Sequence, residues 1–249
     1  MSGHSKWATI KHKKAAVDKA RGKLFAKLAR QIEVAAREGG GDPDSNAALR
    51  TMVLKAKAGQ MTNDAIDRAI KRGTGEQTGA SYEAVTYEGY APGGVALLID
   101  VLTDNRNRAS GDVRAIFSKF GGAMAEPGAV AWQFSRRGVI VADGGLTEDE
   151  VVAAAIEAGA DDVARDGDVW RVTSEPSAVF DVKAALEAAG VPVLSAQSTM
   201  VSSNLVPVED LADARSVLRI MDALEDNDDV QDVYSNFDMS DDTMAAASA

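Results

Sequence analysis

Residues 73–79 read Gly-Thr-Gly-Glu-Gln-Thr-Gly, a polar, glycine-rich stretch with nothing to bury, and the hydrophobic period of the chain changes across it. Before it, apolar residues recur every three or four positions. After it, strand-like runs alternate with helical ones. A chain of 249 residues patterned in two ways folds as more than one unit. The expected class is α+β and multidomain: an N-terminal three-helix domain, then two ferredoxin-like α/β domains, one inserted in the other.

Within the first part, Val17, Ala20, Leu24, Leu28, Ile32 and Ala35 predict a helix over 15–38, stopped by Gly39-Gly40-Gly41. A second helix follows Asp44 or Ser45 as N-cap and buries Leu49, Met52, Val53 and Ala56; Gly59 ends it. A third spans 63–72 and is closed by Gly73. Residues 1–79, with the linker, form the expected basic helical domain.

Beyond the linker, 82–90 and 95–103 read as strands joined through Ala91-Pro-Gly-Gly94, a hairpin signal. A helix over 105–120 and a strand over 129–134 follow. From Gly138 a whole β-α-β-β-α-β order can be counted: strand 139–142, helix 147–158 opened by the capping pair Thr147 and Glu150, strands 162–165 and 169–173, a helix between Pro176 and Gly190, and strand 193–198. The remaining strand 200–208, helix 209–225 and strand 230–235 cannot bury their apolar faces alone. They therefore complete the unit begun at 80–136, which makes 80–136 with 199–238 a discontinuous domain around the insert 137–198. Three domains in series is the alternative, but it leaves the C-terminal piece without a partner. The acidic, then Ala/Ser-rich stretch 239–249 is expected to be unordered.

A formal net charge of −11 hides a division. Residues 1–72 carry 16 Lys and Arg against 7 Asp and Glu, a balance of +9, whereas the rest carries 11 against 31, a balance of −20. A basic module on an acidic body points to a polyanion at one end, with the remainder kept off it by repulsion; the plainer alternative is two domains that attract each other. With no cysteine there are no disulfides, thiolate ligands or thiol nucleophiles. No window approaches the ~18 apolar residues of a membrane span, and the opening residues lack a secretory signal core. The expected setting is cytoplasmic, with no membrane partner.

Catalytic signatures are missing from the sequence. Gly39-Gly40-Gly41 is followed by Asp42-Pro43, not by the Lys and Ser/Thr of a phosphate-binding loop. The two histidines, His4 and His12, lie among lysines, which disfavours a metal ion. Acidic pairs such as Asp161-Asp162 and Asp228-Asp229 read as solvated charge. No cofactor, metal or small-molecule substrate is expected, and the chain reads as non-enzymatic.

The N-terminal segment combines several signals. His4, Lys6, Trp7, Lys11, His12, Lys13 and Lys14 place cations and one indole on a polar lead. Cations neutralise phosphates and an indole stacks on an unpaired base; packing of Trp7 on the bundle explains the aromatic equally well. Lys19, Lys23, Lys27, Arg30 and Arg37 fall within roughly 80° of arc on the first helix, at about 100° per residue, and Arg21 adds to this basic region. A solvated face gives the same stripe. The second and third helices have a loose helix-turn-helix outline, weakened by Asp64 and Asp67 beside Arg68 and Lys71 on the helix that would enter a groove. Asn105, Arg106 and Arg108 open a helix and form a possible secondary contact for phosphate or a partner; ordinary helix capping accounts for them too.

Met1-Ser-Gly-His-Ser-Lys-Trp-Ala-Thr-Ile-Lys-His-Lys-Lys14, Asp64-Ala-Ile-Asp-Arg-Ala-Ile-Lys-Arg-Gly73, Tyr82-Glu-Ala-Val-Thr-Tyr-Glu-Gly-Tyr-Ala-Pro-Gly-Gly94 and Thr103-Asp-Asn-Arg-Asn-Arg108 closely resemble the YebC/PmpR family, over essentially the whole chain. The resemblance implies three domains, one α/β domain inserted in another, and a transcriptional regulator that binds DNA. Relatives of that family, including a mitochondrial translational activator of cytochrome c oxidase, resemble ribosome-associated translation factors, which implies ribosomal RNA or tRNA as the alternative target. A protein partner for the acidic α/β body is also left open.

Overall fold

The computed structural model describes residues 17–248, with side chains from residue 22. Three helices come first: α1 (Val17–Gly39), α2 (Ala47–Ala58) and α3 (Asn63–Gly73). Their apolar stripes close on one core containing Leu28, Ile32, Leu49, Val53, Ile66 and Ala69. Asn46, not Asp44 or Ser45, caps α2. Its Oδ1 accepts the Leu49 N–H at 3.0 Å, while its amide donates to the Ala35 and Gly40 carbonyls at 2.8 Å each. An amide both donates and accepts, so Asn46 ties the start of α2 to the end of α1, which a carboxylate cannot do. Close approach of α3 to α1 requires Gly73, where a Cβ would stand 2.7 Å from that of Ala36 and nearer still to the Glu33 carbonyl.

The α/β body starts with the antiparallel hairpin β1 (Glu83–Ala91) and β2 (Val95–Thr103), turned by Gly93 and Gly94 at φ +75° and +77°. Next come α4 (Arg106–Lys119) and the short β3 (Ala123–Ala125). The chain then leaves for β4 (Phe134–Asp143), α5 (Glu148–Glu157), β5 (Asp162–Asp166), β6 (Val169–Ser174), α6 (Val179–Ala188) and β7 (Val193–Ser202). It returns through β8 (Val206–Pro207), α7 (Leu211–Asp226), β9 (Val230–Ser235), β10 (Phe237–Asp238) and α8 (Asp241–Ser248).

The residues that left and came back share one sheet, in the order β3-β1-β2-β9, and the intervening ones form another, β5-β6-β4-β7. All the pairings within these two sheets are antiparallel. The second sheet has the element order β-α-β-β-α-β and the strand order of a ferredoxin-like fold. Its core joins Ile140, Ala142, Trp170 and Val172 to Val151, Val182 and Leu186 of α5 and α6. Alternate residues of β2 face opposite ways: Leu97, Ile99 and Val101 pack with α4 and α7, while Ala96 and Leu98 meet Val130, Phe134 and Tyr234. With apolar residues on both sides, β2 is buried on both.

Several expectations fail here for local reasons. No strand spans 129–134: Ala131–Gln133 is a short 3-10 turn, and Phe134 begins β4 opposite Ser202. The buried Glu88 carboxylate takes the N–H groups of Gly128, Val130 and Ala131 at 2.6, 2.6 and 2.8 Å, which removes donors that a strand would need. The first sheet therefore recruits its third strand from β1, ahead of β2, so its chain order is a permutation of the ferredoxin-like plan. The strand expected over 200–208 is divided between the end of β7 and the two-residue β8, which pairs in parallel with β10; Pro207 has no N–H to extend it. Helix α6 starts at Val179, after a turn closed by the Ala178 N–H on the Glu175 carbonyl. The stretch expected to be unordered is instead helical over Asp241–Ser248, and Met239 and Met244 bury against the first sheet's core.

Candidate nucleic-acid interface

Of the twelve N-terminal positions singled out in the sequence, His4, Lys6, Trp7, Lys11, His12, Lys13 and Lys14 lie outside the described residues, as do the side chains of Lys19 and Arg21. The other three, Lys23, Lys27 and Arg30, lie on successive turns of α1 and all reach the same place, the C-terminal end of α7. Lys23 Nζ donates to the Asp226 carbonyl at 3.0 Å and stands 2.8 Å from its carboxylate. Lys27 Nζ donates to the Glu225 carbonyl at 2.7 Å. Arg30 donates to the Asp228 carbonyl and, at 2.8 Å, to Asp229 Oδ1, with its guanidinium 5.4 Å from the centre of the Tyr82 ring.

This geometry follows from what a helix end lacks. The last carbonyls of α7 have no intrahelical partner, the helix dipole is negative there, and α7 has no basic residue in its last turn. Helix α1 supplies the missing cations from another domain. The attraction between basic and acidic domains, one of two readings of the charge division, is thus realised by named contacts.

Asp229 is the centre of the joint and is 5% exposed. Its Oδ2 accepts from Arg108 Nη2 at 2.8 Å and from the Thr103 hydroxyl at 2.9 Å. Burial pushes this carboxyl up; the Arg108 and Thr103 bonds and the charges of Arg108 and Arg30 outweigh it and hold the group below the usual range. Arg108 also bonds Asp104 Oδ1 at 2.7 Å. Asn105 caps α4, its Oδ1 accepting the Arg108 N–H at 3.0 Å. Arg106 remains 65% exposed, 4.0 Å from Glu83. Among the possible secondary contacts, two are thus occupied locally and Arg106 faces solvent. A charged cleft opens at the joint, between Arg30, Tyr82, Asp104, Arg108, Asp112 and Asp229.

Elsewhere on the helical domain, Arg37 bonds the Ala80 carbonyl at 2.8 Å and shares the buried Glu33 with Arg72. The exposed side of α3 presents Asp64 and Asp67 with Arg68 and Lys71. Lys55 and Lys57 of α2 are exposed as well, a pair the sequence reading passed over. It also passed over Glu225 and Asp226 as partners of α1, and it took Asp229 for solvated charge, whereas that carboxylate is buried and shared by Arg30, Arg108 and Thr103. The signal was present in the α7 sequence, whose last turn is acidic where a helix favours cations. Among the described residues, no group of three or more His, Cys, Asp or Glu is placed to hold a metal ion. No described helix is long and apolar enough to cross a membrane.

Residues 5–76 match the family model described as the TACO1/YebC protein N-terminal domain, and residues 82–237 match the TACO1/YebC second and third domain. A protein of Rubrobacter xylanophilus called "Probable transcriptional regulatory protein" is 58% identical over 247 residues, covering 98% of both chains. A Mycobacterium tuberculosis protein of the same name is 54% identical over 248 residues, 99% of this chain and 98% of the other. The crystal structure of a conserved hypothetical protein from Aquifex aeolicus is 45% identical and superposes with a TM-score of 0.80, covering 95% of this chain and 98% of that one.

Proposed function

The chain belongs to the TACO1/YebC family, and from that premise we propose that it is a non-enzymatic regulator of gene expression that binds DNA through its basic N-terminal domain. The observation that carries this reading is the charge division, +9 over residues 1–72 against −20 over the rest. Such a field draws one end of the molecule to a phosphate backbone and holds the remainder away. The names of the relatives, probable transcriptional regulatory proteins, support regulation of transcription as the role, for which DNA is the natural polyanion. Because Lys23, Lys27 and Arg30 are engaged by α7, first contact falls to His4, Lys6, Trp7, Lys11, His12, Lys13 and Lys14, with Lys19 and Arg21 next to them. Arg106 serves as an outlying contact. A chain without cysteine suits the reducing cytoplasm.

A second reading, a translation factor that contacts ribosomal RNA, is favoured by one observation. The exposed face of α3 mixes both signs of charge, which suits backbone contacts better than base reading in a major groove. One experiment separates the two: crosslinking in cells, followed by sequencing of the nucleic acid recovered. Enrichment of particular DNA segments supports the transcriptional role, and predominance of ribosomal RNA replaces it with the translational one. Replacing Lys6, Lys11, Lys13 and Lys14 together by Glu is expected to abolish retention of either nucleic acid at moderate salt; undiminished retention defeats both.

A further inference from the structure

What α7 offers to α1 resembles a short stretch of phosphate backbone. The carbonyl oxygens of Glu225, Asp226 and Asp228 all accept from α1, beside the carboxylates of Asp226 and Asp229 and at the negative end of the helix dipole. Each of the three cations on successive turns of α1 takes one of those carbonyls. We propose that this end of the acidic body is an internal polyanion that covers the cationic face of α1, and that nucleic acid displaces it and frees the helical domain from the body. The idea rests on the nucleic-acid reading of the basic domain and adds how that domain is controlled.

The contacts are of the right strength to be exchanged. In the Lys23–Asp226 pair the two side chains are 29% and 73% exposed, so solvent and salt screen it and it holds the joint only weakly. The Arg30–Asp229 pair, at 20% and 7%, is better enclosed and sets the resting position. A nucleic acid presents many phosphates to the same three cations and gains from counterion release, which the single end of a helix does not provide. Lead residues 4–14 would engage first and bring those phosphates next to α1.

The test uses the whole 249-residue chain, whose lack of cysteine makes introduced thiols unique. Asp226→Lys weakens the cover and leaves Lys23, Lys27 and Arg30 in place; Glu157→Lys, on the exposed side of α5, makes the same charge change far from the joint. Binding of a fluorescein-labelled DNA duplex and of ribosomal RNA is measured for both. D226K is expected to bind at least about threefold more tightly than E157K, the scale of losing one screened ion pair. In a second arm, dyes on Thr51→Cys (α2) and Glu209→Cys, just ahead of α7, report the separation of the two domains, and energy transfer is expected to fall as either nucleic acid is added. This arm needs no change at the joint, so it decides the matter even if D226K misfolds. Equal affinities for D226K and E157K with unchanged transfer in a chain that binds overturn the displacement and leave the functional reading intact. Absence of binding by every variant overturns both.

Discussion

Arg30 of α1 and Asp229, just past the end of α7, meet with Nη1 2.8 Å from Oδ1, while the other oxygen of the same carboxylate accepts from Arg108 and Thr103. A single side chain thus fixes the helical domain to α4 and to the end of β2. Asp229→Ala leaves two arginines without their shared partner and is expected to cost about 2–3 kcal/mol, between the loss of a charged hydrogen bond and of a buried ion pair. Asp229→Asn should lose less, since it still accepts from one arginine. Urea denaturation followed by circular dichroism checks both.

Glu88 and Asp229 together predict how stability responds to acid. Burial raises each carboxyl, and for Glu88 the N–H groups of Gly128, Val130 and Ala131 outweigh it, so the folded pKa of both lies below its ordinary value. A group depressed in this way contributes stability that is complete above its unfolded pKa, about 4, and is lost as pH falls through the folded value. Melting temperature should hold steady between about pH 7 and 5 and drop below about pH 4. Glu88→Gln should melt lower at neutral pH and show a shallower acid drop.

Asp100 acts in the opposite sense. It faces Asp232 across the β2–β9 pair, and burial together with that charge raises its pKa, against the Thr86 hydroxyl 3.0 Å away. A raised carboxyl favours folding while protonated, and that contribution is lost as pH rises through the folded pKa. At neutral pH, therefore, the ionised form is a burden. Asp100→Asn is expected to raise the melting temperature at pH 7 by about 1–2 °C, roughly half a kcal/mol in a protein of this size, and to make little difference in acid.

Met244 is fully buried in the core of the first sheet although it lies in an acidic, Ala-rich C-terminal run. Met244→Ala should destabilise by about 2–4 kcal/mol, as for other large-to-small core changes. Exposed Asp242→Ala, two residues earlier, should be nearly neutral. Comparing the two by urea denaturation shows whether α8 is part of the core.

The elements that could be read from sequence were those whose periodicity is local. The stripes of α1, α2 and α3, the Pro-Gly-Gly hairpin and the Thr147–Glu150 capping pair all declare themselves within a turn or two. The capping pair forms at 2.7 Å between the Thr147 hydroxyl and the Glu150 carboxylate. What could not be read depended on a distant partner. Nothing near residue 130 announces that Glu88 will take its backbone donors, and without that the stretch does look like a strand. The cationic stripe of α1 was visible, but its partner lies some two hundred residues away in an acidic run that on its own looks merely solvated. Asn46 won the cap from Asp44 and Ser45 because of the Ala35 and Gly40 carbonyls, which only the folded helix pair brings near.

The pairing of β2 with β9, which sets Leu97 opposite Ser235, gives the molecule an order of completion. The inserted sheet has all its strands between residues 134 and 202 and can close while the ribosome is still making the rest. The sheet around it stays open along the edge of β2 until the last strand emerges, since contacts so far apart in the chain form late. The residues that meet Lys23, Lys27 and Arg30 lie at 225–229, just ahead of that strand, so a growing chain has made its basic helices long before it has made their partners.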